Sequence, residues 1–277
     1  MSLKLMYITN RVDIASIAEE CGVDRIFVDM EYIGKADRQG GMDTVQSHHT
    51  IEDIKMIRGV VHKAELLVRC NPIHEAGMGY LGSEKEIDEI ISAGADIIML
   101  PYFKTADEVS RFLRIVNRRV KTLLLVETPE AVKVIDEILS LPGVDEVLIG
   151  LNDLSLGYGK KFMFQLLADG TVDYLCEKFK AHGIPYGFGG IASMGKGLLP
   201  SEYVIKEHYR LGSTCAILSR SFCDLRKMGD PEQVSNTFRS GVHAIRLFEA
   251  YCRETPHTYE QNRIEVQRLV AGIVGEK

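Results

Sequence analysis

No stretch of this sequence approaches the roughly 18 consecutive apolar residues that a membrane-crossing helix needs. The opening segment MSLKLMYITN also lacks a basic patch followed by a long apolar run. A cytoplasmic protein with no membrane partner is the expectation. Short cysteine spacings are missing too: Cys21, Cys70, Cys176, Cys215, Cys223 and Cys252 form no CxxC pair. That excludes a disulfide framework and a zinc knuckle, and the six read as buried thiols in a reducing compartment. There is no basic excess, since 33 Lys and Arg face 39 Asp and Glu for a formal charge of −6. Without a concentrated basic face, no nucleic-acid partner is expected. The run RFLRIVNRRVK, Arg111 to Lys121, reads instead as the solvated face of a helix.

What is present is an ordinary globular composition, 45% hydrophobic and 26% charged with the signs interspersed. Its 277 residues are long for an average domain but suit a single-domain α/β barrel. Strand-like runs fall at 3–9, 25–31, 64–70, 96–101, 122–127, 146–150, 185–189 and 213–219. Between them lie amphipathic segments such as VDIASIAEECG, TIEDIKMIRGVV, SEKEIDEIISAG, TADEVSRFLRIV and PEAVKVIDEILSLPG. Thr105, Ser83 and Thr128 precede acidic residues and read as helix caps. Eight strand–helix units in about 220 residues predict a (β/α)8 TIM barrel over residues 1–225, with an open doubly wound sheet as the alternative. Residues 226–277 carry two further helical patterns, an extension expected to serve a subunit interface. Residues 32–50 are Gly-rich, polar and long for a strand-to-helix loop, the kind of segment that is functional or mobile.

In such a barrel the C-terminal strand ends surround one cavity. This sequence places Asp29, Glu31, Arg69, Glu127, Asn152 and Asp153 there. Glu127 and Asp153 are 153 − 127 = 26 residues apart, one strand end, helix and strand, so they should sit side by side. Carboxylates held that close need a cation between them to stay ionised. A divalent ion such as Mg²⁺ or Mn²⁺ answers that need, because it keeps open positions for ligand oxygens. Arg69 on a neighbouring strand offers a fork for a substrate carboxylate. The expected ligand is a small acid.

The block VETPEAVKVIDEILSLPGVDEVLIGLNDLSLGYG closely resembles the HpcH/HpaI aldolase and citrate lyase β-chain family, with supporting matches in AGADIIMLPYFKTADEV, LLVRCN and CGVDRIFVDMEY. The likeness spans roughly residues 7 to 225. It implies a lyase that cleaves or forms a carbon–carbon bond next to a 2-oxo or hydroxy acid through a metal-bound pyruvate enolate, commonly in a homo-oligomer such as a hexamer. It also implies Glu127 and Asp153 as ligands of Mg²⁺, Mn²⁺ or Co²⁺, and Arg69 as the catalytic arginine. The backbone at Asn152 and Asp153 would hold the pyruvate carboxylate. The chain departs from the family in carrying Tyr32 where aldolases have a His, and Leu125 where they have a Gln. It also lacks the family's GxRG insertion, and SRSF (219–222) stands where an Asp is usual. Tyr32, His48 or His49 is then the candidate proton-transfer group, and Arg220 a candidate for a second substrate carboxylate or a phosphate. The glycines of GFGGIASMGKG either let a backbone approach a phosphate or make a plain turn. Two alternatives stay open: a barrel that binds metal and a 2-oxo acid without turnover, and phosphoenolpyruvate-type chemistry on the same site.

Overall fold

Eight parallel strands close on themselves in chain order, β8 pairing back onto β1. They are β1 Lys4–Ile8, β2 Arg25–Asp29, β3 Glu65–Arg69, β4 Ile97–Leu100, β5 Lys121–Val126, β6 Glu146–Ile149, β7 Tyr186–Ile191 and β8 Cys215–Leu218. The computed structural model describes residues 2–35, 49–77, 79–219, 221–225 and 230–275. The closed ring is the expected (β/α)8 barrel and rules out the open doubly wound sheet.

Helix boundaries follow local chemistry. Thr50 opens α2 (Ile51–Arg58) with a capping box to Asp53, and Thr105 opens α4 (Ala106–Val116) with one to Glu108. Thr128 accepts the Ala131 N–H at the start of α5 (Pro129–Lys133). Ser83 does not cap: Gly82 holds that position, and the Ser83 hydroxyl instead accepts the His74 N–H from inside the first turn of α3 (Ser83–Ser92). The single helix expected over PEAVKVIDEILSLPG breaks at Val134 (φ −110°, ψ 21°) into α5 and α6 (Ile135–Leu139). The remaining helices are α1 Val12–Glu20, α7 Leu151–Gly157, α8 Gln165–Ala168, α9 Thr171–Ala181, α10 Ser201–Leu211, α11 Pro231–Glu254 and α12 Tyr259–Val274. The last two pack on their own barrel, α11 against α1 and α10, α12 against α10 and α8. Buried Glu249 of α11 accepts from the Leu3 N–H at 2.6 Å and the Tyr209 hydroxyl at 3.0 Å. From α12, Asn262 donates to Tyr203 O and Glu207 Oε1.

The lumen is layered because alternate strand residues point inward. Phe27, Leu67, Ile97, Met99, Leu123, Leu125 and Leu148 form an apolar plug, separate from the larger core between strands and helices. Two residues below the plug on β2, Arg25 is completely buried. Its guanidinium takes both oxygens of Glu146 at 2.6 Å and Glu65 Oε2 at 2.8 Å, with Lys121 also on Glu65 at 2.6 Å. Burial alone would raise the Glu65 pKa, but hydrogen bonds from Lys121 and Arg25 bring it from its ordinary 4.5 down to about 2.

Breaking this layer from one side should be costly. Arg25→Met strands buried Glu146, so urea unfolding should show a loss of roughly 3–5 kcal/mol, much of it recovered in the double variant with Glu146→Leu. Glu65 is depressed in the folded state, so its contribution is complete above about pH 4.5 and is lost as pH falls towards about 2. The urea midpoint should fall across that window, and fall less in Glu65→Gln.

Candidate active site

Two residues above the plug, the same alternation brings Asp29, Arg69, Glu127 and Gly150 to the mouth of the lumen. Asp29 and Arg69 are register partners on β2 and β3. The Arg69 fork grips Asp29 in bidentate fashion, Nε to Oδ1 and Nη2 to Oδ2, both at 2.8 Å. Its Nη1 lies 3.2 Å from Glu31 Oε2, and its cation sits 5.6 Å from the centroid of the Phe27 ring beneath. Lys35 adds a second cation, 2.7 Å from Asp29 Oδ2. Burial pushes the Asp29 carboxyl up, but Arg69 and then Lys35 hold it well below the usual carboxylate range.

Across the mouth, buried Glu127 follows β5, and buried Asp153 lies in the first turn of α7, directly after β6. The Tyr102 backbone N–H donates to Glu127 Oε1 at 3.0 Å, and Tyr102 adopts a left-handed φ of 49° to do so. A non-glycine residue in that region carries strain, and here the strained peptide orients a site carboxylate. Gly150 leaves room for that carboxylate: a Cβ there would stand 2.7 Å from Glu127 Cβ and 2.8 Å from its Oε2. The two acids line two cavities in common. The inner one, about 190 Å³, is walled by Arg69, Leu125, Leu148, Asn152, Met163 and Ile217 among others. The outer one, about 370 Å³, is walled by Tyr102, Pro129, Lys133 and Leu156 among others.

The structure therefore brings together Arg69, Glu127, Asn152 and Asp153 around one cavity. Asn152 is exposed, and its Nδ2 donates to Asp153 Oδ1 at 3.2 Å. Tyr32 lies just beyond β2, half-buried, and its backbone N–H donates to Asn71 Oδ1. Burial first, then the Asp29 charge, pushes its hydroxyl up to about 12, so Tyr32 stays protonated at neutral pH. His49 is buried, and its Nδ1 accepts the Asp29 backbone N–H at 2.9 Å. His48 and Arg220 lie outside the described residues. The GFGG glycines belong to β7, where Gly189 and Gly190 reach the inner cavity. Lys35, Asn71, Tyr102 and Gly150 escaped sequence reasoning. Lys35 had a readable signal in YIGK, a glycine placed for a tight turn that returns a lysine to the strand end.

With Nδ1 occupied as an acceptor, neutral His49 carries its proton on Nε2. Burial lowers its pKa, opposed by Asp29. Nitrogen-15 NMR of labelled histidine should show the Nε2–H tautomer persisting to a pH below its ordinary 6.5. His49→Ala should leave the Asp29 N–H exchanging faster with solvent.

A family model described as HpcH/HpaI aldolase/citrate lyase matches residues 4–163, more than half of the chain. A hydroxypyruvate/pyruvate aldolase of Sagittula stellata is 26% identical over 220 residues, which cover 68% of this chain and 76% of that one. Among solved structures, an HpcH/HpaI aldolase from Desulfitobacterium hafniense superposes with a TM-score of 0.59 at 17% identity, covering 88% of this chain and 93% of that one. An HpcH/HpaI aldolase/citrate lyase family protein from Burkholderia cenocepacia also gives 0.59, at 14% identity over 88% and 94%. These two show likeness of fold. With the barrel, the paired acids and the arginine in place, the match over residues 4–163 settles the grouping: the chain belongs to the HpcH/HpaI aldolase/citrate lyase family.

Proposed function

We propose that this chain is an aldolase-type lyase that makes or breaks a carbon–carbon bond beside the keto group of a small 2-oxo acid. The observation that carries the reading is the inner cavity, where Arg69 faces Glu127 and Asp153 in a space suited to a small acid. The name of the Sagittula relative supports the substrate class.

The donor set fits a divalent ion, Mg²⁺, Mn²⁺ or Co²⁺. Glu127 and Asp153 offer hard oxygen ligands on adjacent strand ends, and Gly150 keeps the space beside Glu127 open. Among the described residues no cluster of three or more His, Cys, Asp or Glu joins them, which suits an ion that keeps positions for water and substrate. Bound there, the ion would supply Lewis-acid polarisation of the substrate keto group.

The chain's own residues do the rest. Arg69, braced by Asp29, Glu31 and Phe27, is fixed in place to offset negative charge developing on the substrate oxygen as the bond breaks. The backbone at Asn152 and Asp153 forms the wall where the substrate carboxylate docks, and Arg220 is a candidate for a second acidic group. Leu125, Leu148, Met163 and Ile217 give the inner cavity an apolar wall. Tyr32 and His48 are the candidates for the proton-transfer half of the reaction. Leu247, Tyr251 and Ile264 are exposed on α11 and α12, and in our reading they form the face that a second copy covers in a homo-oligomer, up to a hexamer.

Pyruvate in D₂O with each metal should lose its methyl proton signals in the presence of the wild-type protein. Arg69→Met should slow that exchange roughly 10²–10³-fold. Gly150→Ala should weaken Mn²⁺ binding, read by electron paramagnetic resonance, by roughly 10–100-fold because its methyl group displaces Glu127. No exchange with any metal by a folded protein would overturn the lyase reading, and tight oxalate binding without exchange would favour a barrel that binds without turnover. Light scattering that returns a monomer would remove the oligomer.

A further inference from the structure

Lys35 is almost fully buried at the mouth of the barrel, an unusual place for a lysine. Its contacts are specific. Nζ lies 2.7 Å from Asp29 Oδ2, the oxygen that Arg69 Nη2 also takes at 2.8 Å. It also lies 3.7 Å from Glu31 Oε2, the oxygen that Arg69 Nη1 approaches at 3.2 Å. Two cations and two carboxylates thus form a closed square in which each carboxylate oxygen at a corner is shared by both cations.

The chain is built to bring that amine back. After β2 it makes a tight turn, with the Lys35 N–H donating to Tyr32 O and Gly34 at φ 71°, where a glycine is needed. Asn71 Oδ1 accepts the Tyr32 and Ile33 N–H groups at 2.8 and 2.9 Å, and Asn71 is itself held through its backbone N–H and Nδ2 by Glu86 Oε1. This anchoring sets where residues 32–35 lie relative to the strand ends.

We propose that Lys35 is a positioning residue: its ammonium charge balances the second carboxylate of the Asp29–Glu31 pair, so that both carboxyl groups hold Arg69 from two sides. The inference rests on the reading of Arg69 as the substrate-facing cation. Asp29 and Glu31 are each at most 2% exposed, and with Arg69 alone the trio would carry a buried net charge of −1. A buried unbalanced charge is relieved by protonation or rearrangement, and either would release one side of the fork. Asp29 already receives Arg69 Nε and Nη2, Lys35 Nζ and the Glu31 N–H. It is therefore an anchor for the Arg69 fork.

The test uses full-length protein with nitrogen-15-labelled arginine, in which the Arg69 Nε–H resonance is identified by its absence in Arg69→Lys. In the wild type this proton should exchange slowly with solvent, and in Lys35→Met the slow-exchanging resonance should be lost while Lys35→Arg restores it. Pyruvate proton exchange should fall roughly 10–100-fold in Lys35→Met and recover in Lys35→Arg. If Lys35→Met does not fold, Lys35→Gln keeps a hydrogen-bond donor without the charge and carries the same comparison. A slow Arg69 Nε–H in the uncharged variant overturns the role of Lys35, as does unchanged pyruvate exchange by an active protein. If the wild type exchanges no pyruvate protons, the proposed function fails, and the Arg69 resonance still decides whether Lys35 holds the fork.

Discussion

A closed eight-stranded barrel turns every second side chain of each strand into a packed lumen, so a charge placed there must meet its opposite on a neighbouring strand or across the lumen. This chain meets that constraint at both ends. Below the apolar plug, Arg25 of β2 joins Glu65 of β3 and Glu146 of β6. Above it, Arg69 of β3 returns the contact to Asp29 of β2 with a bidentate grip. The mouth inherits its rigidity from this arrangement. Arg69 rests on Phe27 of the plug and is held by two acids, so its direction is set before any ligand arrives. Catalysis by fixed charge depends on such preorganisation, because a group already in place costs nothing to reorient during the reaction.

The opposite wall is organised by backbone rather than by charge pairing alone. Tyr102 accepts a strained left-handed conformation and spends its N–H on Glu127, while Gly150 omits the side chain that would collide with the same carboxylate. Asp153 follows from the first turn of α7, directly after β6. The result is two acids at the junction of an inner and an outer cavity, facing a braced cation. That asymmetry, acids on one side and a fork on the other, is what the proposed chemistry on a small 2-oxo acid requires.

Much of this was legible in the sequence, and the reasons for the rest are local. The strand–helix alternation foretold the barrel, and the 26-residue spacing foretold that Glu127 and Asp153 would be neighbours, because one βα unit separates adjacent strand ends. Arg25, Glu65 and Glu146 went unnoticed because the segments RIFVD, ELLVR and EVLI read as strands by their apolar content, while the period-two position of their charges decides what enters the lumen. Ser83 looked like a cap, but Gly82 supplies the extended cap residue and Ser83 turns to His74. His49 looked like a loop residue and is instead tied to the Asp29 backbone, a contact across 20 positions that no local pattern encodes. Lys35 depends on a turn, and Tyr102 on a backbone angle; both arise from tertiary geometry. The likeness to the family was legible over roughly residues 7 to 225, most specifically in the block from Glu127 to Gly159, and the family match covers residues 4–163. Tyr32 remains the clearest departure, and burial beside Asp29 keeps its hydroxyl protonated at neutral pH.

The central claim is that Glu127 and Asp153 jointly hold a divalent ion to which a 2-oxo acid binds within reach of Arg69. Diffraction from crystals soaked with Mn²⁺ and oxalate, collected where manganese scatters anomalously, tests it most directly. The account predicts one strong anomalous peak between Glu127 and Asp153, with oxalate density extending towards Arg69. Saturating Mn²⁺ with no peak between those carboxylates, or with its main peak elsewhere on the protein, would contradict it.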